Sequence, residues 1–273
     1  MTTPRANDEY LLGHDEAEQR RLRGQDEVWA AETESFMDRL GLSEGKRVLE
    51  IGCGIGLGLP RLGRRVGVGG RVVGFERNHE YLAASRRLIR DQGLEQAEIF
   101  SGDIERDVLP EGPFDAIYSR WVFSYLPDVE AVLRRLRPLL ATGGRIGLLD
   151  YNHDGIRVFP EAPRFDEVIA AVRRWFAIDG GNCWVAGVLP LNFVNSGYRV
   201  LGVHPFVPAG PPDSPVYRWV EDFLFVQAPH MIGAGVLSEA QWAAFVEEWE
   251  RMRGAAGTIL YSPMQVGVLA QAR

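Results

Sequence analysis

Val48-Leu49-Glu50-Ile51-Gly52-Cys53-Gly54-Ile55-Gly56-Leu57-Gly58 is the stretch on which the reading of the chain turns. A short aliphatic run over 47–51 is followed at once by glycine at every second position. That pattern predicts a buried parallel strand running into a tight turn and then a helix. Glycine permits positive φ and close approach of backbone to a ligand. The helix that follows aims its free N–H groups back at whatever the turn holds. Glu50, in the same crevice, would repel a pyrophosphate, so the expected ligand carries a cationic group. The spacing also departs from G-x-G-x-x-G, because position 57 is leucine where a dinucleotide fingerprint has its third glycine.

Strands alternate with helical patterns on either side of this turn. Strands are expected over 47–51, 71–75, 97–100, 113–119 and 145–149, with helices over 57–66, 80–92 and 129–140 between them. This rhythm predicts an α/β fold, a parallel sheet wound on both faces. Before it, 17–23 and 27–40 have helical periodicity with Gly24 separating the two pieces. After it, helices are expected over 164–177, 219–226 and 239–253, and strands over 198–206 and 258–269. Pro263 forces a bulge or an edge position in the last strand. The segment 185–194 reads as an apolar stretch interrupted by Gly and Pro, and 208–215 as a proline-rich loop.

The E-x-G-x-G-x-G pattern and the motifs after it resemble motif I and the following motifs of the class I S-adenosylmethionine-dependent methyltransferases. The resemblance covers residues 10–150. It implies a Rossmann-like seven-stranded sheet, parallel with an antiparallel final hairpin, with helices on both faces and a cap over the active site. The expected division is an N-terminal helical lid at 1–41, a cofactor-binding core at 42–150, and the end of the sheet with an aromatic-rich acceptor cap at 151–273. The implied cofactor is S-adenosyl-L-methionine. Its expected contacts are Glu50, Gly52, Gly54, Gly56, Arg77 and Glu76, the last at the second strand's tip where ribose hydroxyls are held. The alternative for Glu76 is a surface carboxylate. Asp103 is the expected partner of the adenine amino group with Ile104 on the ring; alternatively Asp103 caps a turn. Arg120 is expected to pair the methionine carboxylate or else to face solvent. Tyr10 and Gln25 lie in a lead-in, Tyr10-Leu11-Leu12-Gly13-His14 through Arg23-Gly24-Gln25, that in the resembled enzymes folds over the cofactor. The loop after the fourth strand departs from the family, with Tyr125 where many members have histidine.

At the end of the fifth strand, Asp150-Tyr151-Asn152-His153-Asp154 places polar groups where ligands bind in such sheets. His153 is the expected general base, with Tyr151 and His230 as further options; a solvated loop histidine is the alternative. The implied reaction is methyl transfer to a hydrophobic small molecule, at oxygen or carbon. A second reading keeps the cofactor as structure and catalyses a cyclisation. A third, a nicotinamide oxidoreductase, is opposed by Leu57 and Glu50. Nearly half of the chain's Trp, Tyr and Phe fall between 151 and 232, which suggests an apolar acceptor pocket.

Composition bounds the alternatives. The chain has 273 residues, 46% hydrophobic and 25% charged, with a net charge of -7. That charge opposes nucleic acid as the partner. Two cysteines make no disulfide framework, and the scattered His and Cys make no metal site. No apolar leader and no membrane-length apolar run is evident, so a cytoplasmic protein is expected.

Overall fold

A computed structural model of the chain describes residues 16–178 and 180–273. The elements in order are α1 (Glu16–Val28), α2 (Ala30–Met37), β1 (Arg47–Ile51), α3 (Leu59–Val66), β2 (Arg71–Glu76), α4 (His79–Asp91), β3 (Ala97–Ser101), β4 (Phe114–Arg120), α5 (Val129–Leu136) and β5 (Leu140–Asn152). There follow β6 (Arg157–Phe159), α6 (Pro163–Ile178), α7 (Val185–Asn195), β7 (Tyr198–Phe206), β8 (Ala209–Gly210), α8 (Pro215–Gly233), α9 (Glu239–Arg253), β9 (Ile259–Tyr261) and β10 (Met264–Ala272). Two compact units share them. Among the described residues, one comprises 16–28, 151–178, 180–184 and 206–265; the other comprises 29–150, 185–205 and 266–273.

The second unit holds a seven-stranded mixed sheet in the order β3-β2-β1-β4-β5-β10-β7. The pairs β1–β2, β1–β4, β2–β3 and β4–β5 are parallel. With β1 central, its residues Val48, Leu49 and Ile51 are at most 1% exposed. Strands buried on both faces read as continuous aliphatic runs, which is why β1 is legible. Asn78 starts α4, its side chain accepting from the N–H groups of Glu80 and Tyr81. Asp128 does the same for α5 through the N–H of Ala131.

Phe36 of α2 is fully buried against the sheet at two glycines. A Cβ on Gly267 of β10 would lie 2.3 Å from its ring, and one on Gly147 of β5 would lie 3.2 Å from it. These glycines clear a berth for an aromatic ring.

The first unit holds a three-stranded antiparallel sheet, β6-β9-β8, and a helical core. Trp249 of α9 stacks on Phe165 of α6 at 5.5 Å and on Tyr217 of α8 at 4.5 Å, centroid to centroid. Phe165, Trp175 and Tyr217 are each 1% exposed or less. Much of the aromatic excess after residue 150 therefore packs between helices. Among the described residues no helix is long and apolar enough to cross a membrane.

Several elements differ from expectation for physical reasons. Gly24 does not interrupt α1; the break comes at Trp29, where unit membership changes. One glycine costs a helix about 1 kcal/mol, which packing of α1 along α8 offsets. The stretch from 185 is a helix despite Pro190, because Ala186, Leu189 and Phe193 bury one face. The last strand is two strands: Pro263, with no N–H to donate, separates β9 of the small sheet from β10 of the large one. As expected, the last two long strands, β7 and β10, are neighbours at one edge of the sheet, with α8, α9 and the short β8 and β9 between them in sequence.

Gly267→Ala is expected to destabilise the fold by about 1–3 kcal/mol through overpacking against Phe36. Urea denaturation would measure it. Adding Phe36→Leu should recover part of the loss; an unchanged midpoint in Gly267→Ala would show that the ring is not held there.

Candidate active site

The glycine turn lies in the sheet unit. Gly52, Gly54 and Gly56 all have positive φ, at 62°, 56° and 86°. Their surroundings differ. A Cβ on Gly52 would meet Val122 Cγ2 at 2.3 Å, and one on Gly56 would meet Ser85 Cβ at 3.1 Å. A Cβ on Gly54 would meet nothing within 4 Å. Gly52 and Gly56 are thus glycines for packing as well as for backbone angle, whereas Gly54 borders open space. A Cβ on Gly58 would strike the Glu50 carboxylate at 2.1 Å. Glu50, 5% exposed, therefore sits against the start of α3, where a negative charge is favoured by the helix dipole.

Glu76 closes the turn from the tip of β2. Its Oε2 accepts from the Gly54 N–H at 2.9 Å, and its Oε1 accepts from the N–H groups of Arg77 and Asn78, each at 2.9 Å. The residue is 8% exposed. Burial raises its carboxyl above the ordinary value, while the three N–H donors and the Arg77 charge pull it back. Ser85 Oγ donates to the Gly54 carbonyl at 2.6 Å, fixing the other backbone polar group of the same residue. Burial, then the charges of Glu76 and Glu50, push the Cys53 thiol up, which leaves it a protonated packing group.

Asp103, beyond β3, is 9% exposed and already engaged. Its Oδ1 accepts from the Glu105 N–H at 2.8 Å, and its Oδ2 from Arg106 Nε and Nη2 at 3.1 and 2.9 Å. Arg77 Nη1 lies 4.0 Å from the same oxygen. The turn-capping alternative for Asp103 is thus present, with an ion pair beside it. Ile104 is 7% exposed. Arg120, at the end of β4, donates from Nη1 to Thr33 Oγ1 at 2.8 Å, and its guanidinium lies 4.3 Å over the Trp121 ring. Trp121 has φ 57°, an uncommon conformation for an aromatic residue.

The other unit brings together Gln25, Tyr151 and His153. Gln25 Nε2 donates to the Tyr151 hydroxyl at 2.9 Å, and Gln25 Oε1 accepts from Arg21 Nη1 at 2.6 Å. Arg21 holds Glu18 bidentately, at 2.7 and 2.6 Å. Glu18 and Gln25 are 2% and 4% exposed. The spacings Glu18–Arg21 and Arg21–Gln25, three and four residues apart on one helix face, carry a signal that sequence reasoning passed over. The Tyr151 ring meets His153 edge to face at 5.7 Å. His153 is 7% exposed, and its Nδ1 is buried without a hydrogen-bond partner among the described residues. Burial, and then Arg173, lower its pKa to about 4, against a smaller pull upward from Asp154. His230 is exposed and stacks on Trp175 at 6.3 Å. Tyr10 lies outside the described residues. Among the described residues no group of three or more His, Cys, Asp or Glu is placed to hold a metal.

The depressed pKa of His153 links to stability. The unfolded chain takes up this proton near pH 6.5 and the folded chain only near pH 4. Stability with respect to this group is therefore full above pH 6.5 and falls as pH is lowered towards 4, by roughly 3 kcal/mol in all. His153→Gln should flatten that part of a chemical-denaturation profile. A variant profile parallel to that of the natural chain would show that His153 is not the group involved.

Residues 48–144 match the family described as a methyltransferase domain. Over 119 residues, 43% of this chain, it is 31% identical to methyltransferase GfsG of Streptomyces halstedii, covering 42% of that protein. Over 113 residues, 41% of this chain, it is 33% identical to nocamycin O-methyltransferase of Saccharothrix syringae, covering 40% of it. The matches thus span less than half the length of these relatives. In fold, the chain is similar to a putative methyltransferase of Bacillus halodurans, at a TM-score of 0.62 and 17% identity, covering 88% of this chain and 98% of that one. Residues 48–144 thus carry a methyltransferase-domain sequence, on a sheet whose strand order reverses at β1 and around a glycine turn bound to an acid.

Proposed function

We propose that the chain binds S-adenosyl-L-methionine at the 52–56 turn and transfers its methyl group to a hydrophobic small molecule. The observation that carries this reading is the Gly54–Glu76 pair. Gly54 borders open space that any Cβ would enter, and its N–H is fixed to an acid at the tip of the neighbouring strand. Each carboxylate oxygen offers two lone pairs. The two N–H bonds on Oε1 and the one on Oε2 leave a lone pair on Oε2 for a ribose hydroxyl. Glu50 and Glu76 together give the turn a negative field suited to a sulfonium. Asp103 keeps room on Oδ1 for one further donor, consistent with an adenine amino group, and Arg120 is the residue assigned to the methionine carboxylate.

When bound, the cofactor supplies an activated methyl group on a cationic sulfur. The protein's part is then to align an acceptor with that carbon and to exclude water. One relative is named an O-methyltransferase, which makes a hydroxyl one candidate acceptor. For such an acceptor, His153 takes the hydroxyl proton. With a pKa of about 4 it is unprotonated throughout the neutral range, ready to accept, though weakly basic. An acidic hydroxyl, such as a phenol or enol, matches a base of that strength.

Calorimetric titration with S-adenosylhomocysteine tests the cofactor half. Glu76→Gln should weaken binding by about 10–100-fold, the worth of a charge-assisted hydrogen bond. No binding of either cofactor form to the natural chain would overturn the reading. For the acceptor half, labelled donor and a panel of hydroxylated apolar compounds should give methylated product. His153→Gln should lower kcat by about 10²–10⁴ without changing S-adenosylhomocysteine affinity. Turnover that persists when the donor is replaced by its demethylated form would instead assign a cyclisation or rearrangement.

A further inference from the structure

The turn that carries His153 is held from three directions, all within its own unit. Its backbone N–H donates to the Cys183 carbonyl at 3.1 Å. Its carbonyl accepts from Arg173 Nη2 at 2.5 Å. The neighbouring Asp154 accepts at Oδ1 from Trp184 Nε1 at 2.7 Å, and the Arg173 guanidinium lies 5.2 Å over the Trp184 ring. Arg173, Trp184 and Asp154 therefore close a circuit around the turn, while the Tyr151 ring edges the imidazole.

Against this restraint, Nδ1 of His153 stands buried with no partner among the described residues. Leaving a buried polar atom unmatched costs about 1–3 kcal/mol. A turn so tightly braced, with one nitrogen unmatched, is arranged for a hydrogen-bonding group that the described chain does not supply.

We propose that Arg173 is the positioning residue of the acceptor site: it clamps the His153 turn through the 153 carbonyl and sets a fixed positive charge there, so that Nδ1 is presented to an acceptor hydroxyl. This rests on the methyl-transfer reading. In the step it serves, the acceptor O–H bond breaks and its proton passes to Nδ1. The acceptor oxygen keeps the electron pair of the broken O–H bond. Among the described residues, the charged groups that act on the imidazole are Arg173 from α6 and Asp154 from its own turn, with opposite effects on its proton affinity. Burial acts in the same direction as Arg173. Tyr151 contributes a ring edge and Cys183 a carbonyl. Trp184 draws the Asp154 carboxylate into its own hydrogen bond, which favours the Arg173 side of that balance.

The test follows the His153 ring by nuclear magnetic resonance of histidine-labelled protein across pH, in the natural chain, Arg173→Met and Arg173→Lys. This arm needs no acceptor. The natural chain should titrate near pH 4. Arg173→Met should raise the midpoint by roughly one pH unit or more, as loss of a nearby like charge does. Arg173→Lys keeps the charge and should stay near the natural value, which also guards against a folding defect in the Met variant. An unmoved midpoint in Arg173→Met overturns the proposal. With an acceptor from the panel, the acid limb of the methyl-transfer rate should move with the midpoint. A midpoint that moves while the rate profile stays put overturns the link to catalysis by removing His153 as the base. Loss of S-adenosylhomocysteine binding is a separate readout and would point to failure of the cofactor reading.

Discussion

The hydrogen bond from the Gly54 N–H to the Glu76 carboxylate joins two strand tips and sets the shape of everything between them. β1 and β2 are neighbours in register, Glu50 opposite Gly74 and Ile51 opposite Phe75, so the chain leaving β1 arrives beside the end of β2. Only a backbone in the left-handed region turns sharply enough there to point an N–H back at the acid. Three N–H donors on one buried carboxylate offset part of its desolvation, and a half-satisfied acid in that place would be costly. The turn is therefore organised by a charge before any ligand arrives, the preorganisation that binding a charged group without large rearrangement requires.

The first unit follows a related logic with different groups. Glu18, Arg21, Gln25 and the Tyr151 hydroxyl form a continuous hydrogen-bonded line from α1 to the end of β5. A buried ion pair adds little net stability when its desolvation is counted. Here it anchors Gln25, whose amide then holds the tyrosine hydroxyl at a defined position. The Arg21 guanidinium lies 5.9 Å over the Phe223 ring of α8, and Glu18 and Gln25 beside it are buried. His153 shares that dry environment, and its weak basicity is the direct consequence of it.

Glycine spacing is a compound signal, and the structure separates its parts. Gly52 answers to Val122, Gly56 to Ser85 and Gly58 to the Glu50 carboxylate; Gly54 alone of the four borders open space. The same dissection applies to Asp103, whose residue type and position after a strand suit both a ligand contact and a turn cap. Its bonds to Glu105 and Arg106 show the cap in place. Arg173 had no sequence signal at all, being 20 residues from the carbonyl it holds.

Local sequence alone determined the alternation of strands and helices through residue 150, the strand–glycine–helix transition and the acid at the tip of β2. These depend on side-chain periodicity and backbone freedom within a few residues, which a linear reading captures. Tertiary structure decided the rest. It placed β10 between β5 and β7, split the last expected strand at Pro263, carried α7 through Pro190 and turned much of the later aromatic excess into core. It also selected which glycine meets open space and which arginine meets the His153 turn. Those outcomes depend on which distant surfaces meet, and the free energy of burial and desolvation that settles them exists only once the chain is folded.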